Sequence, residues 1–282
     1  MFEPTLFGDF SATLAAAYFM AGDTHHAYVV AFNDIPGQQE AFHITSADGA
    51  SWEVDPSDPF AELGLDLSPP GPIPGSIIRV DGSWVMYLWG IPAPLSNGGV
   101  IWRATADSPA GPWVADPEPV LDLGEPGAWD DRALDFPGVV ATEDGFEMIY
   151  SAVGNADLQT SSIGVASSND GIDWVKHPDP VIQAGVCSDD SAGYAAMPRL
   201  LQEDDGYLLF FETDSAMAAA RSSDLLDWTC VADGPVMFGD DIPGSTRIHS
   251  FAVAQDGTRI TALVESLVEG GSEMWFAEAV DF

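Results

Sequence analysis

Short apolar segments alternate with polar, glycine-bearing turns along the whole chain. Four of these turns are acidic: Val80-Asp81-Gly82, Glu143-Asp144-Gly145, Asp204-Asp205-Gly206 and Gln255-Asp256-Gly257. Each is followed by aromatic and branched residues, Trp84–Trp89, Phe146–Tyr150, Tyr207–Phe211 and Arg259–Val264. Glycine accepts a positive φ without steric cost, so the pattern predicts tight hairpins. A second kind of hairpin closes on tryptophan. Its phrases are Ser46-Ala-Asp48-Gly49-Ala-Ser-Trp52, Ala106-Asp107-Ser-Pro-Ala-Gly-Pro-Trp113, Ser168-Asn-Asp170-Gly171-Ile-Asp-Trp174 and Ser223-Asp224-Leu-Leu-Asp-Trp228. The four tryptophans lie 61, 61 and 54 residues apart. A period of this length, filled with short strands and turns, is the mark of a propeller blade.

Aligned on these phrases, each repeat has four strands, A to D. Strand A ends in the acidic turn, strand C runs into the tryptophan phrase, and strand D opens on Pro59, Pro119, Pro180 or Pro235, where an outer edge tolerates the missing donor. The expected fold is an all-β, five-bladed β-propeller in one domain, with blades near 9–64, 71–124, 129–185, 189–239 and 244–282. The last repeat stops after its third strand, and Glu3-Pro4-Thr5-Leu6-Phe7-Gly8 reads like a D strand. Residues 2–7 are therefore expected to complete the last blade, so that removing Met1–Gly8 destabilises the ring. The four tryptophans are read as structural, and His25 and His26, in the first A–B turn, as surface residues.

Composition narrows the function classes. The 282 residues carry 45 acidic against eight basic side chains, a formal charge of −37. Such a surface excludes a nucleic-acid ligand, which needs a basic footprint. No apolar run approaches 18 residues, so no membrane span is expected, and no basic region precedes the apolar stretch Leu14–Met20 as a secretory leader requires. An exported chain with its leader removed and the cytoplasm of a salt-adapted organism both fit this composition. The two cysteines, Cys187 and Cys230, fall near opposite ends of blade 4 in this scheme and are expected as free thiols. A monomer is expected.

With five blades, the Ser-x-Asp-Gly-x-x-Trp phrase, Phe136-Pro137 running to Tyr150-Ser151, and Met197-Pro198-Arg199 running to Phe211, the chain resembles the five-bladed propeller glycosidases. These include the family 43 arabinanases and xylosidases, the invertases and levansucrases, and the mannoside phosphorylases. The resemblance implies a carbohydrate ligand at one end of the central channel, where the A strands begin. It also implies an Asp from blade 1 as base or nucleophile, an Asp from blade 2 that tunes pKa and orientation, and a Glu acid from blade 3. Two carboxylates, one protonated and one ionised, are what glycosidic cleavage needs, and no cofactor is required. Here the blade 1 position falls near Asp9, blade 2 offers Pro72-Ile73-Pro74 without an acid, and blade 3 has Asp135 in place of Glu. Either the site is rewritten, or the propeller binds a glycan or protein without cleaving it.

The starts of the later A strands are polar. Arg132, Arg199 and Arg247 begin successive A strands, close to Asp130, Asp131, Asp189 and Asp190. They form either a clamp for an anionic glycan or a buried ion-pair network with neighbouring aspartates, Asp130, Asp131 and Asp135. Glu212, an acid within the apolar strand Phe210-Phe211-Glu212, is either a second catalytic carboxyl or a partner of Arg199. Trp129, Trp89 and Tyr194 are candidate sugar platforms and Asp130 a candidate binding group. His249, on the inner strand of blade 5, is a candidate metal ligand because the resemblance implies a histidine beside a central calcium ion.

Overall fold

The computed structural model describes residues 12–32, 39–94, 98–154, 160–188, 194–213, 216–269 and 271–279. They form five antiparallel sheets in a ring, a five-bladed β-propeller. Blade 1 comprises β1 (Ala12–Ala21), β2 (Thr24–Phe32), β3 (Gln39–Ser46) and β4 (Glu53–Val54). Blade 2 comprises β5 (Leu67–Val80), β6 (Ser83–Pro92), β7 (Val100–Ala106) and β8 (Val114–Ala115). Blade 3 holds β9 (Ala133–Thr142), β10 (Gly145–Val153), β11 (Ser162–Ser168) and β12 (Val175–Lys176). Blade 4 holds β13 (Ala196–Glu203), β14 (Gly206–Glu212), β15 (Ala216–Ser222), β16 (Thr229–Cys230) and β17 (Met237–Phe238), and blade 5 holds β18 (Ser245–Asp256), β19 (Arg259–Val268) and β20 (Gly271–Ala279). The Glu3–Gly8 segment expected to complete blade 5, along with Asp9, Asp189 and Asp190, lies outside the described residues.

Alternation along each second strand builds the seams between blades. Successive side chains of a strand point to opposite faces. Leu208 and Phe210 accordingly enter the seam with blade 5 beside Ile248 and Phe251, while Leu209 and Phe211 enter the seam with blade 3 beside Ile149 and Ile163. All eight are buried, each worth about 1.5–3 kcal/mol of apolar transfer. The same logic corrects the reading of the histidines. His25 and His26 open β2 and point to opposite faces, and both faces are seams, so both are buried. His25 shares a hydrogen bond with the Tyr18 hydroxyl (2.6 Å) beside Trp52 and Phe276, and His26 meets His43 at 3.0 Å.

Three tryptophan turns are built alike. Ser46 Oγ accepts from Gly49 N at 2.9 Å, Asp48 Oδ1 accepts from Ala50 and Ser51, and Trp52 donates to Gly49 O at 2.8 Å. Blade 3 repeats the serine and aspartate bonds with Ser168 and Asp170. In blade 4 the phrase begins one residue earlier than the sequence alignment placed it: Ser222, not Ser223, accepts from Leu225, and Trp228 donates to Leu225 O. Leu225 takes the left-handed φ of +66° that Gly49 and Gly171 take elsewhere. Blade 2 departs, because fully buried Trp113 donates across the seam to the Tyr28 hydroxyl at 2.7 Å.

Two further expectations change. Strand D is split: β8, β12 and β16 follow the tryptophan, and a second segment re-joins strand C after Pro119, Pro180 and Pro235, where Val120, Val181 and Val236 donate to Ile101, Ile163 and Met217. Pro59 opens no strand; its carbonyl accepts from Trp113 N of blade 2. Cys187 and Cys230 form a disulfide with Cα atoms 5.4 Å apart. The seam between blades 3 and 4 explains the pairing, since the turn after Ile182 lays Cys187 against the outer edge of blade 4.

Candidate functional site

Every inner strand carries a β-bulge at one common level. The extra residues fall at Ala16 in β1, Gly75 in β5, Phe136-Pro137 in β9, Met197-Pro198 in β13 and His249 in β18. Bulges re-aim side chains and free backbone groups, and they recur beside active sites. Serines of neighbouring strands take the freed donors: Ala15 N bonds Ser250 Oγ at 2.9 Å, Val139 N bonds Ser76 Oγ at 3.0 Å, and Met197 N bonds Ser151 Oγ at 3.0 Å. Two bulges are strained. Phe136 (φ +46°) and Met197 (φ +49°) are bulky side chains in the left-handed region, a cost the surrounding structure must hold in place.

Just beyond the bulges, toward the strand starts, the five inner strands place Leu14, Ile73, Asp135, Ala196 and Arg247 opposite Val30, Trp89, Ser151, Glu212 and Leu267 of the second strands. Polar groups therefore enter from blades 3, 4 and 5, while blades 1 and 2 present an apolar wall. Leu14, Ile73, Phe136 and Met197 pack together there, with Phe32, Trp89 and Tyr194 against them. Trp89 meets Phe136 edge-on at 5.7 Å, and its Nε1 has no hydrogen-bond partner among the described residues.

Asp135 is half-buried, and its Oδ1 is closed off from solvent without a partner among the described residues. Burial raises its pKa to about 7, against the smaller opposing pulls of the Ser151 hydroxyl and the Arg199 charge. Arg199 lies beneath it, buried and stacked on Phe136 and Phe251 at 5.5 and 6.0 Å. Its guanidinium donates to the carbonyls of Phe251 (2.9 Å), Pro198 (3.1 Å) and Ala15 (3.3 Å), pinning the inner strands of blades 1, 4 and 5 together. Burial lowers its pKa to about 10, opposed by the Glu212 and Asp135 charges, so it stays protonated at neutral pH. Glu212 is buried beside it.

At the fifth bulge, His249 Nδ1 lies 2.9 Å from Glu265 Oε2. Glu265 is wholly buried and also accepts from Ser250 Oγ (2.8 Å) and from Thr13 N of blade 1 (3.2 Å). The contact orients the His249 ring, which is one-third exposed. The sequence reading passed over Glu265, although an acid inside Thr261-Ala-Leu-Val-Glu265 gives the same signal as Glu212. Among the described residues no cluster of three or more histidine, cysteine or acidic side chains is arranged to hold a metal.

The structure thus brings Asp135, Glu212 and Arg199 together, with Trp89 and Tyr194 in the adjoining apolar cluster and His249 at the bulge of β18, while exposed Arg247 stands opposite Leu267 near the start of β18. Arg132 precedes β9, three residues before Asp135, with its backbone N–H bonded to Val153 O. Trp129 and Asp130 go elsewhere. Trp129 stacks on Tyr150 in the seam between blades 2 and 3 and donates to Pro178 O at 3.1 Å, and buried Asp130 pairs with Lys176 at 2.7 Å.

The architecture matches solved structures of carbohydrate-active enzymes. A thermostable family-43 glycoside hydrolase superposes with a TM-score of 0.72 at 16% identity, over 94% of this chain and 89% of that one. The chain has the five-bladed propeller fold of the glycoside hydrolases. An exo-1,5-α-L-arabinanase from a bovine ruminal metagenomic library gives 0.66 at 16% identity, over 96% and 94% of the two chains. A structure from the GH130 family of mannoside phosphorylases gives 0.67 at 12%, over 94% and 84%. No protein-family model matches the sequence, and no curated protein does. At these identities the glycosidase-like propeller is a statement about fold, and chemistry has to be argued from the mouth itself.

Proposed function

We propose that this protein is a glycoside hydrolase that cleaves its substrate at the channel mouth. The observation that carries the reading is the Asp135 carboxyl, beside a strained bulge, with one oxygen unpartnered among the described residues and a pKa of about 7. A carboxyl that keeps its proton to neutral pH is suited to protonate a leaving-group oxygen. His249 Nε2, two blades away and oriented by Glu265, takes the proton of the attacking water. Glu212 and Arg199 fix the field around Asp135, and Trp89 and Tyr194 supply the surface against which a sugar ring stacks. Arg132 and exposed Arg247 face an anionic group of the glycan on the side of blades 3 and 5. The disulfide supports an exported protein, since such bonds persist in oxidising compartments.

A second reading, a propeller that binds glycan without cleaving it, is favoured by blade 2, where Ile73 and Trp89 stand at the level of Asp135. Hydrolysis assays across neutral, uronate-rich and sulfated glycans, at low and high salt and with and without calcium, separate the two. Turnover on any of them establishes the enzyme. Saturable binding with no turnover establishes the binding propeller.

A further inference from the structure

Beside the apolar wall of blades 1 and 2 lies a cavity of about 530 Å³ that the mouth chemistry does not use. Its walls include Gln39, Glu40 and Phe42 at the start of β3, with Asp55, Asp58 and Phe60 beyond β4. It adjoins the apolar cluster at the mouth. Val30 and Ala41 line the cavity and also pack in the apolar cluster around Ile73 and Phe136, and Pro72 of blade 2 forms the far wall. The volume lies within the range of small-molecule sites.

The lining selects its occupant. Asp55 Oδ1 accepts from Ser57 N at 2.9 Å and Asp58 Oδ1 from Phe60 N at 2.8 Å, so each carboxylate is held in place with its other oxygen less committed. Behind Asp55 stands His43, 2% exposed, with Nδ1 3.5 Å from Asp55 Oδ2, too far for a good hydrogen bond. Burial lowers the pKa of His43, so the ring is neutral at physiological pH and does not cancel the Asp55 charge. Among the described residues no lysine or arginine lines the cavity. Ionised carboxylates accept from hydroxyl pairs but repel carboxylate and sulfate, while the Phe42 and Phe60 rings offer apolar surface to the faces of sugar rings.

We infer that this cavity is an arm of the substrate site that holds neutral saccharide units joined to the sugar at the mouth. The inference rests on the reading of the mouth as a carbohydrate site and adds a polarity to it. Units over blades 1 and 2 are uncharged, and any acidic unit lies on the side of Arg132 and Arg247.

Calorimetric titration of the Asp135→Asn protein tests this without turnover, using xylohexaose, mannohexaose, arabinohexaose and hexagalacturonate, with the corresponding monosaccharides as controls. Glu40→Arg and Asp58→Arg change exposed side chains, and thermal melts check that each variant is folded. At least one neutral hexasaccharide is expected to bind, with affinity reduced tenfold or more by Glu40→Arg and by Asp58→Arg, while its monosaccharide binds all variants alike. Neutral hexasaccharide binding that stays within twofold in both variants, or no hexasaccharide binding at all, overturns the arm. So does displacement of the bound hexasaccharide by spermidine at matched concentration, which would mark an ammonium site. Wild-type turnover decides the mouth separately. Turnover without dependence on the arm removes this inference alone, and arm-dependent binding without turnover removes the catalytic reading alone.

Discussion

At the rim of the propeller, three turns built on a Ser-x-Asp phrase repeat one another almost bond for bond. At the channel mouth, five strands at one level carry five different residues. The rim aspartates Asp48, Asp170 and Asp224 each accept two backbone N–H bonds, which hold their pKa values below the ordinary carboxylate range. Asp135 has the opposite environment: burial outweighs its donors and the pKa rises. The same side chain thus closes a turn where donors converge and keeps its proton to higher pH where burial outweighs them. Local rules kept at the rim specify the fold, and local rules broken at the mouth mark the place where chemistry is argued.

That contrast can be broken from either side. The largest effect on stability is expected from Arg199→Met, which leaves Glu212 and Asp135 without their buried cation and unpins three inner strands. A loss of about 3–5 kcal/mol, read by denaturant unfolding, is the expected result. Replacing both cysteines by serine releases a crosslink spanning 43 residues and should cost about 4 kcal/mol by the chain-entropy argument, with turnover at moderate temperature preserved.

A smaller effect is expected from the blade 1 histidines. Burial lowers the pKa of His26 to about 4, with the neighbouring His43 and His25 adding to the shift. A histidine whose folded pKa lies below its unfolded value near 6.5 contributes stability that is present above 6.5 and lost as pH falls toward 4. His26→Gln should move the acid unfolding midpoint to lower pH, and an unchanged midpoint would show that these rings do not govern acid stability. Asp135 has the opposite sign. Its folded pKa of about 7 lies above the unfolded value, so the stability linked to it is full at low pH and is lost as pH rises through about 7. The smallest effect belongs to a rim turn: Asp170→Ala should lower the melting temperature slightly and leave turnover untouched.

Much of the fold was legible because its signals are local. Asp-Gly turns, the tryptophan phrase and period-2 strands are read from neighbouring residues, and they place strands A to C of the blades. What the sequence hid depends on residues far apart in it. Both faces of β2 are covered by neighbouring blades, so histidines that look like turn residues are buried. Cys187 and Cys230 meet across a seam that no spacing announces. At the mouth, Asp135, Glu212 and Arg199 were legible as polar residues in apolar strands, and the structure brings them together. Trp129 and Asp130 looked equivalent to them in sequence, but they lie before β9 begins and turn into the seam with blade 2. Glu265 carried the same local signal as Glu212. Its partnership with His249 depends on the bulge in β18, which the residue pattern does not reveal.

The central claim is that Asp135 is the proton donor of a glycosidase. The most direct test compares kcat/KM against pH for the wild type and Asp135→Asn on a hydrolysed substrate from the panel. The account predicts a wild-type rate that falls as pH rises above about 7, and a loss of about 10²- to 10⁴-fold in the variant with the fold intact. A variant that turns over substrate at the wild-type rate, with the same alkaline limb, would contradict it.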